Sequence, residues 1–186
     1  MVSVGCSPSR PAWFPKWGPA RYTCRVHPVP AFEAKLCTPA DIAARVARLT
    51  RPLVFTNGVF DILHRGHASY LAQARALGAS LIVALNSDAS VQRLGKGSDR
   101  PINALADRMA LIAALESVSL VTWFDEGTPL TLIKIVRPDV LVKGGDWAVD
   151  DIVGAADVKS WNGAVHSIPF IHARSTTATL DKIRAR

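Results

Sequence analysis

Five short apolar runs, each followed by a stretch of helical periodicity, constrain this chain more than any other feature. They lie at 53–56, 81–85, 120–124, 140–142 and 165–168. None alternates apolar with polar residues, as a strand with one wet face would. Such runs suit parallel strands covered on both faces, with helices crossing between them. Helical patterns are expected at 38–49, 67–77, 89–94, 104–116, 129–136 and 151–160, with a last helix starting near Ser175. The first opens on Thr38-Pro39-Ala40-Asp41, which offers a Thr cap, Pro at the first helical position and an acid in the first turn. The expected class is α/β, a doubly wound five-stranded parallel sheet with helices on both faces. Such sheets bind ligands beyond the carboxyl ends of their strands. Function is therefore sought at 56–67, 86–100, 124–128, 143–147 and 169–177.

A chain of 186 residues, 49% of them hydrophobic, is long enough for one packed domain and too apolar for global disorder. No run approaches the roughly 18 apolar residues of a membrane helix. The net charge of +7 is unevenly placed. Arg10, Lys16, Arg21, Arg25 and Lys35 face only Glu33 in the first 35 residues, and seven of the twelve prolines fall within 1–39. Residues 1–37 thus read as a flexible, Pro-rich basic extension ahead of a domain at 38–186. A docking arm built on Trp13, Phe14 and Trp17 is the alternative for this segment. The remaining body carries little net charge and no basic stripe with interleaved aromatics, which argues against a nucleic-acid-binding module. Cys6, Cys24 and Cys37 are odd in number and match no zinc spacing. Together with the lack of a secretory pattern, they suggest free thiols in a reducing, cytoplasmic compartment.

Chemistry concentrates after the first strand, in Thr56-Asn57-Gly58-Val59-Phe60-Asp61-Ile62-Leu63-His64-Arg65-Gly66-His67. Two histidines three apart sit where a loop turns into a helix. The N–H groups and partial positive charge of a helix start bind phosphate. Imidazoles placed there can donate hydrogen bonds to phosphate oxygens as charge builds, and Gly66 allows close approach. The pair alone more often means ordinary surface or core histidines; a zinc site is a second alternative, but no cysteine or further histidine lies in a ligand pattern. Arg174-Ser175-Thr176-Thr177 opens the last helix with hydroxyls, which alone read more often as a plain helix cap and otherwise could hold phosphate at the exposed helix end. Lys96 stands between two glycines, and Arg100 follows with a guanidinium suited to phosphate. Lys143-Gly144-Gly145-Asp146 follows the fourth strand, and Asp146 can accept from hydroxyls.

The string GVFDILHRGH matches the HxGH signature of the nucleotidylyltransferase superfamily. NSDASVQRLGKGSDRPIN, RMALIAALESVSLVTWFDEGTP, RPDVLVKGGDW and RSTT resemble the branch that makes ADP-heptose, in its stand-alone form. The resemblance implies a Rossmann-like sheet of strand order 3-2-1-4-5. It implies transfer of the adenylyl group of ATP, with Mg²⁺, to D-glycero-D-manno-heptose 1-phosphate for lipopolysaccharide core synthesis. A separate heptose kinase and a homo-oligomer are implied as well. Under it His64, His67 and Lys96 are expected to be catalytic. Thr56, Asn57, Gly58, Val59, Phe60, Gly66, Arg174, Ser175, Thr176 and Thr177 would bind nucleotide. Asp61, Arg100, Lys143, Gly144 and Asp146 would bind the acceptor, and no protein metal ligand is assigned. Thr179 or Leu180 occupies the place of the family's closing Arg, so Arg174 or Lys182 is expected to supply that charge. Trp147 stands where Tyr is expected. The alternative within the superfamily is a cytidylyltransferase acting on glycerol 3-phosphate or a similar acceptor.

Overall fold

The computed structural model describes residues 29–95, 99–171 and 176–185. Strands β1 (Leu53–Gly58), β2 (Ser80–Asn86), β3 (Leu120–Phe124), β4 (Val140–Gly144) and β5 (Ala164–Ile168) form one sheet. Its order is β3-β2-β1-β4-β5, and every neighbouring pair is parallel. Between and around them run α1 (Ile42–Val46), α2 (Arg65–Arg75), α3 (Asp88–Arg93), α4 (Leu105–Ala113), α5 (Leu130–Val136), α6 (Ala155–Ser160) and α7 (Thr176–Arg184).

The two-residue period of a strand sorts the core into two halves. Leu53 and Phe55 of β1 join Ile82, Leu120 and Leu141 beneath α1, α5 and α6. Val54 joins Leu81, Val83, Val121 and Val142 beneath α2 and α4. Because both faces are covered, the central strands read as unbroken apolar runs, and Leu53, Val54 and Phe55 are wholly buried.

Helix ends shift from expectation by up to four residues, and two of the differences have a visible local cause. Thr38 does not cap α1: its hydroxyl bonds the Asp41 carboxylate at 2.6 Å and accepts the Asp41 amide at 3.3 Å, closing a turn before the helix starts at Ile42. The helix expected over 151–160 is split into a 3-10 turn, Val149–Asp151, and α6. Gly154 separates them at φ 87, and a Cβ there would lie 2.8 Å from Ile133 Cδ1. Ser175 lies outside the described residues, and α7 is described from Thr176.

Residues 31–37, grouped with the extension on composition, pack on the body. A 3-10 turn, Ala31–Lys35, places Lys35 Nζ 2.9 Å from Leu115 O. Leu36 then bridges Val121, the Cys37 amide donates to Val121 O at 2.9 Å, and Cys37 is a buried free thiol. These residues cover the outer edge of β3. Cys6, Cys24 and the aromatic residues of the extension lie outside the described residues. At the opposite end of the strands, Asp139 accepts from Arg51 at 2.9 Å and from the Leu53 amide at 2.6 Å, tying the entries of β1 and β4. No helix among the described residues is long and apolar enough to cross a membrane.

Candidate active site

Beyond β1 the chain turns through Phe60, held at φ 49 and buried, before α2 begins. His64 is extended and caps α2, its Nδ1 accepting the His67 amide at 3.4 Å. Three residues along a helix start is one turn, which brings the two rings together. Their centroids are 3.8 Å apart and the planes differ by 15°. Phe60 meets His67 edge-on at 5.2 Å, and Gly66 is buried in the same turn.

Burial, and then the neighbouring His64, pushes the His67 pKa down from 6.5 to about 4. His67 is therefore neutral near pH 7. Its Nδ1 is buried with no hydrogen-bond partner among the described residues. Such an atom costs about 1–3 kcal/mol; the hydroxyl of Thr122 on β3 is the other described one.

Thr56, the residue before Asn57, points to the α2 face. Its hydroxyl is buried 2.5 Å from the Tyr70 hydroxyl, which itself donates to Val142 O at 3.3 Å. Thr56 thus links β1, α2 and β4 through Tyr70. Asn57 points to the other face, where Lys143 of β4 donates to its Oδ1 at 3.4 Å.

That face carries a cavity of about 330 Å³ at the carboxyl ends of the strands, with Asn57, Asn86, Thr128, Lys143, Trp147 and Asp151 in its wall. The Trp147 indole donates to Gly144 O at 3.1 Å, and Lys143 Nζ lies 5.9 Å from the ring centroid. Gly144 lies beneath Phe170, whose ring would stand 2.8 Å from an added Cβ and would have to shift to admit one. The histidines do not line the cavity. Gly58 and Val59 do, and they lead directly into the histidine turn.

Asp146 is exposed and off this wall, whereas Asp151 is on it. Asn86 and Thr128 fall in segments flagged by their place after a strand, but polar type alone did not single them out. Asp151 was read as a helix start.

Asp61 and Arg100, both expected on the acceptor side, bind each other. They meet at 2.7 Å with side chains 1% and 7% exposed. Asp61 also accepts the amides of Ile102 and Asn103, both at 2.9 Å. A carboxylate and a guanidinium 39 residues apart have closed two loops on each other. Of the last helix, Thr176 is half-buried and Thr177 exposed, as is Lys182, while Arg184 pairs with Asp99. Lys96, Arg174 and Ser175 lie outside the described residues. Among the described residues no group of three His, Cys, Asp or Glu could hold a metal ion.

The profile of the cytidylyltransferase-like family matches residues 55–184. The chain is 60% identical over 155 residues to the D-beta-D-heptose 1-phosphate adenylyltransferase of Bordetella bronchiseptica, covering 82% of this chain and 96% of that protein. It is 54% identical over 132 residues to the bifunctional protein HldE of Hahella chejuensis, covering 71% of this chain and only 28% of that longer one. The crystal structure of the lipopolysaccharide core biosynthesis protein from Thermoplasma volcanium matches with TM-score 0.54 at 30% identity, over 66% of this chain and 98% of that one. Pantothenate synthetase from Thermus thermophilus shares the fold alone, at TM-score 0.52 and 16% identity over 73% of this chain and 61% of that one.

Proposed function

That the chain belongs to the cytidylyltransferase-like family is the premise from which we propose its reaction: transfer of the adenylyl group of ATP to D-glycero-β-D-manno-heptose 1-phosphate, giving ADP-heptose and pyrophosphate. The observation that carries this reading is the stacked histidine pair at the start of α2, on the turn that leaves a cavity whose largely apolar wall carries Asn57, Asn86, Lys143 and Asp151. A helix start and two imidazoles suit the phosphates of a nucleotide. A cavity walled by Asn57, Asn86, Lys143 and Asp151 suits a sugar rich in hydroxyls with a phosphate at one end.

The sugar phosphate oxygen attacks the α-phosphorus in line, and the bond from that phosphorus to the bridging oxygen breaks. Pyrophosphate leaves with the electron pair. The attacking oxygen is already ionised, so positioning and charge stabilisation suffice. His64 accepts at Nδ1 from the His67 amide, which puts its ring proton on Nε2, the atom that would donate a hydrogen bond to a phosphate oxygen. His67 is held neutral by its surroundings and binds the same phosphate group. Lys143 meets the acceptor phosphate, and Trp147 covers the sugar. Mg²⁺ bound with ATP would neutralise charge on the phosphates, and none of the described side chains is assigned to hold it. Lys96, Arg174, Ser175, Thr176 and Thr177 take the remaining phosphate contacts. A separate kinase supplies the sugar phosphate in the cytoplasm, and the enzyme works as a homo-oligomer.

Pyrophosphate release tests this reading, with Mg²⁺ and with ATP and CTP each crossed against heptose 1-phosphate and glycerol 3-phosphate. Release with ATP and the heptose alone is expected. Release with CTP and glycerol 3-phosphate would replace the substrates, and silence in all four would overturn the reaction.

A further inference from the structure

Helix α4 presents Leu105, Arg108, Met109, Ile112 and Ala113 inward, a stripe at helical spacing in which one member is a cation. Arg108 is fully buried. Burying a guanidinium is costly, and an apolar side chain of similar size would often do as well or better for stability. The single carboxylate it meets, Asp88 at 2.7 Å, is itself 44% exposed. Its other partners are backbone carbonyls: Val59 O at 2.7 Å, Asn86 O at 2.9 Å and Asn103 O at 3.0 Å. Each of those three belongs to a different segment, and two of them, Val59 and Asn86, line the cavity. Val59 opens the histidine turn, Asn86 ends β2 in the cavity wall, and Asn103 closes the loop that Asp61 grips from the other side.

We infer that Arg108 is a positioning residue for the transfer, a planar fork that fixes the histidine turn, the end of β2 and the 100–103 loop as one rigid body. The inference rests on the reaction proposed above. Val59 and Asp61 flank Phe60, and Phe60 is the ring against which His67 packs. A shift of Val59 therefore moves the histidine pair relative to Asn86 and the cavity. Lys cannot replace the fork, because its three N–H groups radiate from one atom and do not span three carbonyls on separate segments.

The experiment compares Arg108→Met and Arg108→Lys with the unmodified chain, reading Tm, steady-state kinetics and amide hydrogen exchange without substrate. In Arg108→Met, kcat falls by about 10²-fold, the order of loss expected from misplacing reacting groups by about 1 Å. The KM values for ATP and sugar phosphate move far less, as for an interaction that matters in the transition state. Arg108→Lys does not restore kcat. Amides at 59–64 and at Ile102 and Asn103 exchange faster, while those of β1 and β2 do not. If Arg108→Met does not fold, Asp88→Asn loosens the same guanidinium from its half-exposed side, with a smaller loss of kcat at unchanged Tm. Unchanged kcat in a folded variant, or unchanged exchange at both loops, overturns the inference. An unmodified chain that releases no pyrophosphate overturns the reaction instead, and the exchange data then still report whether Arg108 holds the turn.

Discussion

At the amino end of the sheet Arg51 reaches Asp139 with side chains 52% and 37% exposed, whereas at the carboxyl end Asp61 and Arg100 meet with 1% and 7% exposed. Both pairs fasten backbone as well as each other: Asp139 takes the Leu53 amide, and Asp61 takes those of Ile102 and Asn103. In water such a pair is worth about 0–1 kcal/mol. Out of water its attraction is offset by desolvation, and losing one partner strands a buried charge. The amino end is therefore fastened by a replaceable staple, and the carboxyl end by a committed one. The difference falls where the histidines and the cavity are, so the sheet places its rigid electrostatics beside its chemistry.

Substitutions at the two ends should separate accordingly. The largest effect is expected from His67→Ala, with kcat lower by about 10²-fold or more and the fold intact by circular dichroism. Unchanged turnover would remove the histidine pair from the mechanism. Next in size is Asp61→Ala, which leaves Arg100 buried without its partner and is expected to cost about 3–5 kcal/mol in denaturant unfolding. A loss no larger than that of a surface pair would erase the contrast between the two ends.

A graded effect follows from His67. Its folded pKa of about 4 lies below the ordinary 6.5, so the unfolded chain takes the proton first. This contribution to stability is fully present above about pH 6.5 and is lost as pH falls toward 4. Nuclear magnetic resonance of the ring protons reads the pKa directly. His64→Ala should raise it only in part, because burial is the larger cause. The smallest effect is expected from Arg51→Ala, within about 1 kcal/mol by the same unfolding measurement and with turnover unchanged.

The sheet was legible because strands buried on both faces leave a continuous apolar record: one run, 120–124, matches its strand, and the other four needed only extension by a residue or two at one end or both. The histidine pair was legible because its residues are contiguous. Asp61 with Arg100 was not. Each alone looks like a ligand contact, and only the folded loop shows that they satisfy each other. Arg108 was hidden differently. It occupies a core position of its helix, at 105, 108, 109, 112 and 113, but a charge at such a place is ordinarily read as the end of the stripe. A cation inside an apolar stripe is the signal that would have found it. Thr38 illustrates the remaining kind of miss, since a Thr that satisfies every rule for a helix cap closed a turn with Asp41 instead.

The seven residues from Ala31 to Cys37 carry a consequence for where the folded unit starts. Composition changes at Thr38, but Leu36 and Cys37 are bonded to Val121 on the last strand of the sheet. An open strand edge pairs readily with another chain. A protein trimmed at Thr38 would keep every residue of its catalytic face and yet expose that edge to its own copies, adding an unspecific strand-edge contact to whatever assembly it forms. One beginning at Ala31 keeps its own blocker.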